Sequence, residues 1–181
     1  MNKYTKYLLL VVVLSFAMYQ LVITFLPNVI FDAFHRRMTN TVKVNDNELY
    51  YVPLPTDDTR AVVLPNPDFL YITSFYDLSE GPLSLSGNLP DSTYWSVAFY
   101  QPNTINWYVK NDLEYGSGQL NLILAQYGNH TDFDKEVELA NSPVEKGLML
   151  IRILVTANDP EIVKRYEALQ KSVRLTAIKK S

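Results

Sequence analysis

Four side chains of this chain could form a small polar site, because together they supply an amide, a carboxylate, a phenol and a guanidinium. Asn66, Asp68 and Tyr71 follow one another closely, and Arg152 falls in a later predicted strand. A carboxylate beside a cation and a phenol can bind a polar ligand or move a proton. The simpler interpretation is a turn, since Asn and Asp side chains accept hydrogen bonds from nearby backbone amides. We take these four residues as the candidate ligand-binding site.

A second group of carboxylates occupies alternate positions of the sequence, which on a strand would share one face: Asp132, Asp134, Glu136 and Glu138. Alternation would place all four on one face, and Ca²⁺ is bound by six to eight oxygen ligands, as a rule. The loop glycine and spacing of an EF-hand are missing, however. The pattern favours a solvent-exposed strand face, with the intervening apolar residues directed inward: Phe133, Val137 and Leu139.

The remaining reactive residue types form no recognisable constellation. The chain has no cysteine, which excludes disulfides, thiolate nucleophiles and cysteine-based metal sites. Its two histidines, His35 and His130, lie far apart in the sequence. We expect no metal and no cofactor, and whether the chain is an enzyme stays open.

Short segments rich in β-branched and aromatic residues recur along the chain from Leu49 onward. Pro, Gly and Asn clusters separate them, which is typical of strands joined by turns. The predicted strands are Val62–Leu64, Leu70–Tyr76, Leu83–Ser86, Tyr94–Tyr100, Trp107–Lys110, Gln119–Ala125, Glu136–Ala140 and Leu148–Val155. Two sets of alternating residues should each share one face: Trp95, Val97 and Phe99, and Leu120, Leu122 and Leu124. The pattern predicts a mainly β domain, an antiparallel sandwich or barrel.

One amphipathic helix is predicted near the C-terminus. Asp159 is a suitable N-cap, and Pro160 and Glu161 suit the first helical turn. One apolar stripe follows at helical spacing: Ile162, Val163, Tyr166, Leu169 and Val173.

The run Tyr7–Leu26 contains no charged residue, and as a helix it would be about 30 Å long, the thickness of the hydrocarbon core of a bilayer. We predict a transmembrane helix that Pro27 closes. The expected organisation is a short N-terminal segment (1–6), the transmembrane helix (7–26), a juxtamembrane stalk or interfacial helix (27–45) and a β-rich domain (46–181).

A cleaved signal peptide is the competing interpretation, since cleavage after Ala17 is conceivable. The apolar run continues well beyond that site, which favours an uncleaved anchor. Basic residues on the two sides of the helix nearly balance, so they do not decide its orientation. Because long domains translocate largely regardless of charge, we predict a single-pass protein of the inner (cytoplasmic) membrane with its domain on the periplasmic side.

The chain has 16 basic and 19 acidic residues and a formal net charge of −3. Such a surface repels phosphate backbones, so nucleic acid is not an expected partner. The expected partners are the lipid bilayer, through the N-terminal helix, and a small molecule, an envelope polymer or an envelope protein.

Several short motifs occur in the order found in one bacterial protein family: Asn66, Asp68 and Tyr71; Asp77, Leu78, Ser79 and Pro82; Tyr94; Pro143 and Arg152; Asp159, Gln170, Leu175 and Thr176. Together they resemble the domain-of-unknown-function 1254 family over about residues 60–178. The family usually has Arg-Asp-Thr after the Asn, where this chain has Pro67-Asp68-Phe69.

The resemblance implies a β-rich fold in a short, membrane-anchored form that lacks the second β-rich domain of longer members. For some longer members, binding or modification of small molecules or sugars has been suggested. We predict a non-catalytic ligand- or partner-binding module of the bacterial envelope. The alternative is a hydrolase or isomerase of small molecules or carbohydrates that uses Asp68 with Tyr71 and Arg152.

Overall fold

The structure is a computed structural model that describes residues 2–54, 66–128, 137–155 and 159–178. Several sequence predictions lie outside these ranges: the strand Val62–Leu64, the carboxylates Asp132, Asp134 and Glu136, and His130.

The chain begins with a single long helix, α1 (Lys3–Arg37), which includes the apolar run and continues past it. The prediction that Pro27 ends this helix is wrong, because Pro27 lies inside α1. Proline removes one backbone donor, and in apolar helices nearby polar side chains often satisfy the carbonyls that it frees. The carbonyl oxygen that Pro27 frees belongs to Ile23, four residues before it, and the Asn28 side chain donates to the neighbouring Thr24 carbonyl oxygen, with Nδ2 at 3.3 Å. A five-residue π-helix, Met38–Val42, follows α1 directly.

Within the described ranges, nine strands follow α1: β1 (Tyr50–Val52), β2 (Phe69–Asp77), β3 (Leu83–Asn88), β4 (Trp95–Tyr100), β5 (Asn106–Asn111), β6 (Gln119–Gln126), β7 (Glu138–Ser142), β8 (Lys146–Leu154) and β9 (Arg174–Ala177). They form two sheets, one of five strands in the order β1-β2-β8-β4-β5 and one of four in the order β7-β6-β3-β9. All the pairs are antiparallel except β6 and β7, which run parallel. The predicted mainly β, largely antiparallel fold is therefore confirmed.

The core consists of alternating side chains from both sheets. The two sets predicted to share a face are all buried: Trp95, Val97, Phe99, Leu120, Leu122 and Leu124. Tyr76 also joins the sheets, since its hydroxyl lies 3.2 Å from Ser142 Oγ of β7 and accepts a hydrogen bond from Trp107 Nε1 at 3.2 Å. Burial raises the pKa of Tyr76, although both hydrogen bonds act to lower it.

The C-terminal helix, α3 (Pro160–Gln170), begins as predicted, because the Asp159 side chain accepts from the Glu161 amide at 2.9 Å. It ends before Val173, which is buried but lies beyond the helix in the turn that leads to β9. Gln170 is 1% exposed, and its Nε2 donates to the carbonyl oxygens of Val52 and Tyr71, both at 2.8 Å. This side chain therefore attaches α3 to β1 and β2.

Candidate functional site

Two of the predicted site residues belong to a turn before β2. The Asp68 amide donates to Asn66 Oδ1 at 2.9 Å, and the amide of Phe69 donates to the Asn66 carbonyl oxygen at 3.3 Å. Both Asn66 and Asp68 are exposed. Turn chemistry therefore accounts for the amide of Asn66, and the Asp68 carboxylate points away from the core.

The other two predicted residues are neighbours on adjacent strands. Tyr71 of β2 is in register with Arg152 of β8, on the face of the sheet away from the core. Arg152 donates through Nε and a terminal nitrogen to Ser96 Oγ, both at 3.3 Å, and its guanidinium lies 5.8 Å from the centre of the Phe69 ring. These contacts hold Arg152 in a row of side chains across the sheet.

The structure thus brings Tyr71 and Arg152 together but gives Asp68 no ion pair with Arg152. Among the described residues, the salt bridges join other groups. The fourfold convergence predicted from the sequence is present only as this one cross-strand pair.

A polar pocket of about 370 Å³ lies where the edges of the two sheets approach each other. It is bordered by β5, β6, β7 and the short helix α2 (Asp112–Tyr115). Its lining is almost wholly polar: Lys110, Glu114, Tyr115, Ser117, Gln119, Asn121 and Glu138. We refer to this cavity as the polar pocket.

Glu138 contributes two polar contacts to the wall of the polar pocket. Its Oε1 is 2.7 Å from Lys110 Nζ and accepts a hydrogen bond from the Tyr108 hydroxyl at 3.3 Å. The Lys110 and Glu138 side chains are 31% and 32% exposed, so solvent reaches both. The pair joins β5 of one sheet to β7 of the other.

Helix α2 fixes a second wall of the polar pocket. Asn111 and Glu114 form a capping box, in which each side chain accepts from the backbone amide of the other residue. Tyr115 then donates its hydroxyl to the Asn121 carbonyl oxygen at 2.7 Å and accepts from the Asn121 amide at 3.1 Å. Its ring centre lies 5.5 Å from that of Trp95 in the core.

Two phenols are kept neutral here: Tyr115, which lines the polar pocket, and Tyr108, which donates to Glu138 of its wall. Burial, and then the negative charge of Glu138, raise the pKa of Tyr108 above its ordinary value. Burial is also the main cause that raises the pKa of Tyr115. Neutral phenols, amides and one closed ion pair suit hydrogen bonding to an uncharged polar ligand better than proton transfer near neutral pH.

The sequence pattern misplaced Glu138. It predicted Glu138 on the solvent face and Leu139 directed inward, and this is wrong: Leu139 is 40% exposed, whereas Ala140 and Ser142, on the same side as Glu138, are buried. The parallel register with β6 sets this face, because Glu138 pairs with the buried Leu122. A local pattern beside the pocket is the Asn-x-x-Glu capping box at residues 111–114, which predicts the start of α2 but not the cavity.

No group of three or more His, Cys, Asp or Glu side chains among the described residues is arranged to hold a metal ion. His35 contacts Asp46 beside α1, far in the sequence from the polar pocket.

Comparison with solved structures finds the same fold within one larger protein. The crystal structure of the VPA0106 protein from Vibrio parahaemolyticus matches 82% of this chain with a TM-score of 0.61 and 14% identity. A putative uncharacterized protein from Burkholderia cenocepacia matches 71% with a TM-score of 0.47 and 16% identity. This chain spans 35% of the length of each of these two proteins.

A search of curated proteins found no match to the chain. The model of one family, described as "Protein of unknown function (DUF1254)", matches residues 46–177, which include every strand of both sheets. The chain belongs to the DUF1254 family.

Proposed function

We propose that this chain is a membrane-anchored, non-catalytic binding module of the bacterial envelope, whose polar pocket binds an uncharged, polyhydroxylated ligand such as an envelope saccharide. In this proposal α1 spans the inner membrane, and the folded domain lies on the periplasmic side.

The exposed surface of α1 supports the anchor. This helix is long and apolar enough to cross a membrane, and the residues of its apolar run, Tyr7–Leu26, are exposed. A continuous apolar surface of this length is unfavourable in water and favourable in the hydrocarbon core of a bilayer. The periplasmic side is supported by the position of the whole folded domain after the helix.

The polar pocket is the observation that carries the ligand proposal. Its lining offers donors from Lys110, Gln119 and Asn121 and acceptors from Glu114 and Glu138. Sugar hydroxyls both donate and accept, so a mixed set of this kind is complementary to a polyol. The volume of about 370 Å³ lies within the range of small-ligand pockets.

The alternative, a hydrolase or isomerase acting through Asp68 with Tyr71 and Arg152, has one observation in its favour. Tyr71 and Arg152 are cross-strand neighbours on an outward face. The exposed Asp68 makes no ion pair with Arg152, so we place the binding function first.

A thermal-shift screen of the full chain in detergent micelles, against neutral mono- and oligosaccharides, tests the proposal. A ligand at one hundred times its Kd adds about 2.7 kcal/mol of stability, which raises the unfolding midpoint by several degrees. We expect the rise to disappear in Lys110→Ala and Gln119→Ala and to persist in Lys164→Ala, an exposed lysine of α3. A flat response across the panel would instead point to an envelope protein as the partner.

A further inference from the structure

Four side chains on the outer face of the five-stranded sheet form a compact cluster around Phe69. The centre of the Phe69 ring lies 6.1 Å from that of Tyr71, 6.4 Å from that of Tyr94 and 5.8 Å from the guanidinium carbon of Arg152. All four residues are partly exposed, so a partner could reach them. We refer to Phe69, Tyr71, Tyr94 and Arg152 as the arginine cluster.

The sheet holds the Arg152 guanidinium in place but leaves one of its edges free. Ser96 is in register with Arg152 and is 0% exposed, and its Oγ accepts from Nε and one terminal nitrogen, both at 3.3 Å. Among the described residues, no acceptor bonds the other terminal nitrogen and no carboxylate pairs with Arg152. Two parallel hydrogen bonds from one edge of a guanidinium are the usual way in which arginine binds a carboxylate.

The neighbours of Arg152 on this face carry no charge that could balance it. In its own row of the sheet and in the two adjacent rows, the strand register places only uncharged residues: Phe69, Leu154, Tyr71, Ser96, Thr73, Leu150 and Ala98. The phenols of Tyr71 and Tyr94 can each donate a hydrogen bond. A cation and donors on an otherwise uncharged face are complementary to a group with one negative charge.

Charge and shape favour a carboxylate that belongs to a protein. One guanidinium balances one carboxylate, whereas a phosphate monoester carries nearly two negative charges at pH 7. The outer face continues beyond Arg152 through Leu150 and Leu154, which are partly exposed. Tyrosine, phenylalanine and arginine are enriched at the centres of protein interfaces. A polypeptide segment can cover such a face, whereas a small free carboxylate would contact little beyond the guanidinium.

We propose that the arginine cluster docks an acidic segment of a partner protein. An aspartate or glutamate carboxylate of the segment lies on the free edge of Arg152, and apolar side chains of the segment pack on Phe69 and Tyr71. This interaction surface is separate from the polar pocket and requires neither the membrane anchor nor a catalytic step.

Selection of short random peptides by phage display on the full chain, held in nanodiscs, tests the proposal. We expect the selected peptides to share one aspartate or glutamate with apolar residues beside it, because the cluster combines one cation with aromatic rings. A consensus without an acidic position would overturn the proposal.

The decisive measurement is a double-mutant cycle between Arg152 and the acidic residue of one selected peptide. Changing that residue to its amide should weaken binding to the wild type at least about tenfold, because an ion pair covered by the complex is lost. Arg152→Gln should weaken binding of the unchanged peptide by a similar factor, and the amide peptide should then bind no worse. Independent effects of the two changes would overturn the assigned contact.

Matched variants separate the charge from the fold. Arg165→Gln, at an exposed arginine of α3, is the control and should leave the peptide affinity unchanged. Arg152→Lys keeps the positive charge but loses the planar edge, so it should retain only part of the affinity. If Arg152→Gln fails to fold, as circular dichroism would show, Arg152→Lys takes its place in the cycle. Phe69→Leu removes the ring beside the guanidinium and should weaken binding about two- to fivefold.

Competition by free glutarate distinguishes a protein segment from a small carboxylate. We expect glutarate to displace the peptide only at roughly millimolar concentrations or above, since it lacks the apolar contacts. Displacement at about micromolar concentrations would overturn a protein segment as the occupant. Lys110→Ala alters the polar pocket and should leave peptide binding unchanged, so this proposal and the saccharide proposal fail independently.

Discussion

Glu138 Oε1 lies 2.7 Å from Lys110 Nζ, and this ion pair connects the edge strands β7 and β5 of two different sheets. Solvent reaches both side chains, so the pair should define the polar pocket more than it stabilises the fold.

We expect a double-mutant cycle of Lys110→Met and Glu138→Gln to give a coupling free energy below about 1 kcal/mol, because partly exposed ion pairs are screened by water. Urea unfolding of the four proteins measures it. A coupling of several kcal/mol would show that the pair is mainly structural.

Gln170→Met should destabilise the domain by about 2–4 kcal/mol. The substitution removes the donor to the Val52 and Tyr71 carbonyl oxygens, and buried acceptors left without partners are costly. The free energy of unfolding in urea is the measurement. Gln119→Met, at an exposed position of β6, is the control and should change stability by less than about 0.5 kcal/mol. Equal effects of the two substitutions would contradict this account of α3 docking.

Asp68→Asn should leave the thermal midpoint unchanged, because the Asp68 carboxylate is exposed and the turn uses its backbone amide. Asn66→Ala should lower stability by about 0.5–1.5 kcal/mol, since it removes the acceptor of that amide. Calorimetry of both variants checks this. If Asp68→Asn abolished an activity of the chain at unchanged stability, this result would support the enzyme hypothesis with Asp68 as its catalytic residue.

The Asp77–Lys146 ion pair should make the free energy of unfolding depend on pH. Burial alone would raise the pKa of Asp77, but hydrogen bonds from Lys146 and Ser79 outweigh it, so the pKa of the folded protein lies below the ordinary value. The ionised Asp77 side chain therefore stabilises the folded protein fully above its unfolded pKa of about 3.9. This stabilisation is lost as the pH falls through the lower pKa of the folded protein.

Asp77→Asn should consequently destabilise the protein more at pH 7 than near pH 3, whereas Asp91→Asn should show no such difference. Urea unfolding at the two pH values measures it. At alkaline pH, the partner Lys146 matters instead, because its hydrogen bond to Asp77 raises its pKa. The stabilisation from the charged Lys146 is therefore complete below the unfolded pKa of about 10.4 and is lost as the pH rises through the raised pKa of the folded protein. A larger effect of Asp77→Asn at pH 3 than at pH 7 would reverse the sign and refute this linkage.

The N-terminal helix should be retained in the mature protein. The α1 residues before and after Ala17 form one continuous helix whose end packs on Phe75. Intact mass spectrometry of protein extracted from membranes should find the full N-terminus. Met18 as the first residue would mean that the segment is a cleaved signal.

Much of the fold follows from local patterns. The alternation of Trp95, Val97 and Phe99 predicts a strand that directs these three side chains into the core, and Asp159 followed by Pro160 predicts the start of α3. Both depend on neighbours within a few residues, which is why a single sequence reveals them. The short strands β1 and β9 escaped prediction because three or four residues carry too little periodic signal.

The sequence by itself determined the family, the apolar helix, the mainly β class and the turn at Asn66 that precedes β2. Only the tertiary structure decided which face of β7 is inward, that β7 runs parallel to β6, and that Tyr108 and Glu138, 30 residues apart, meet at one pocket. The physical reason is that alternation sets the period of a strand but not its phase. The phase depends on the partner strand, and the contacts that choose the partner are distant in the sequence.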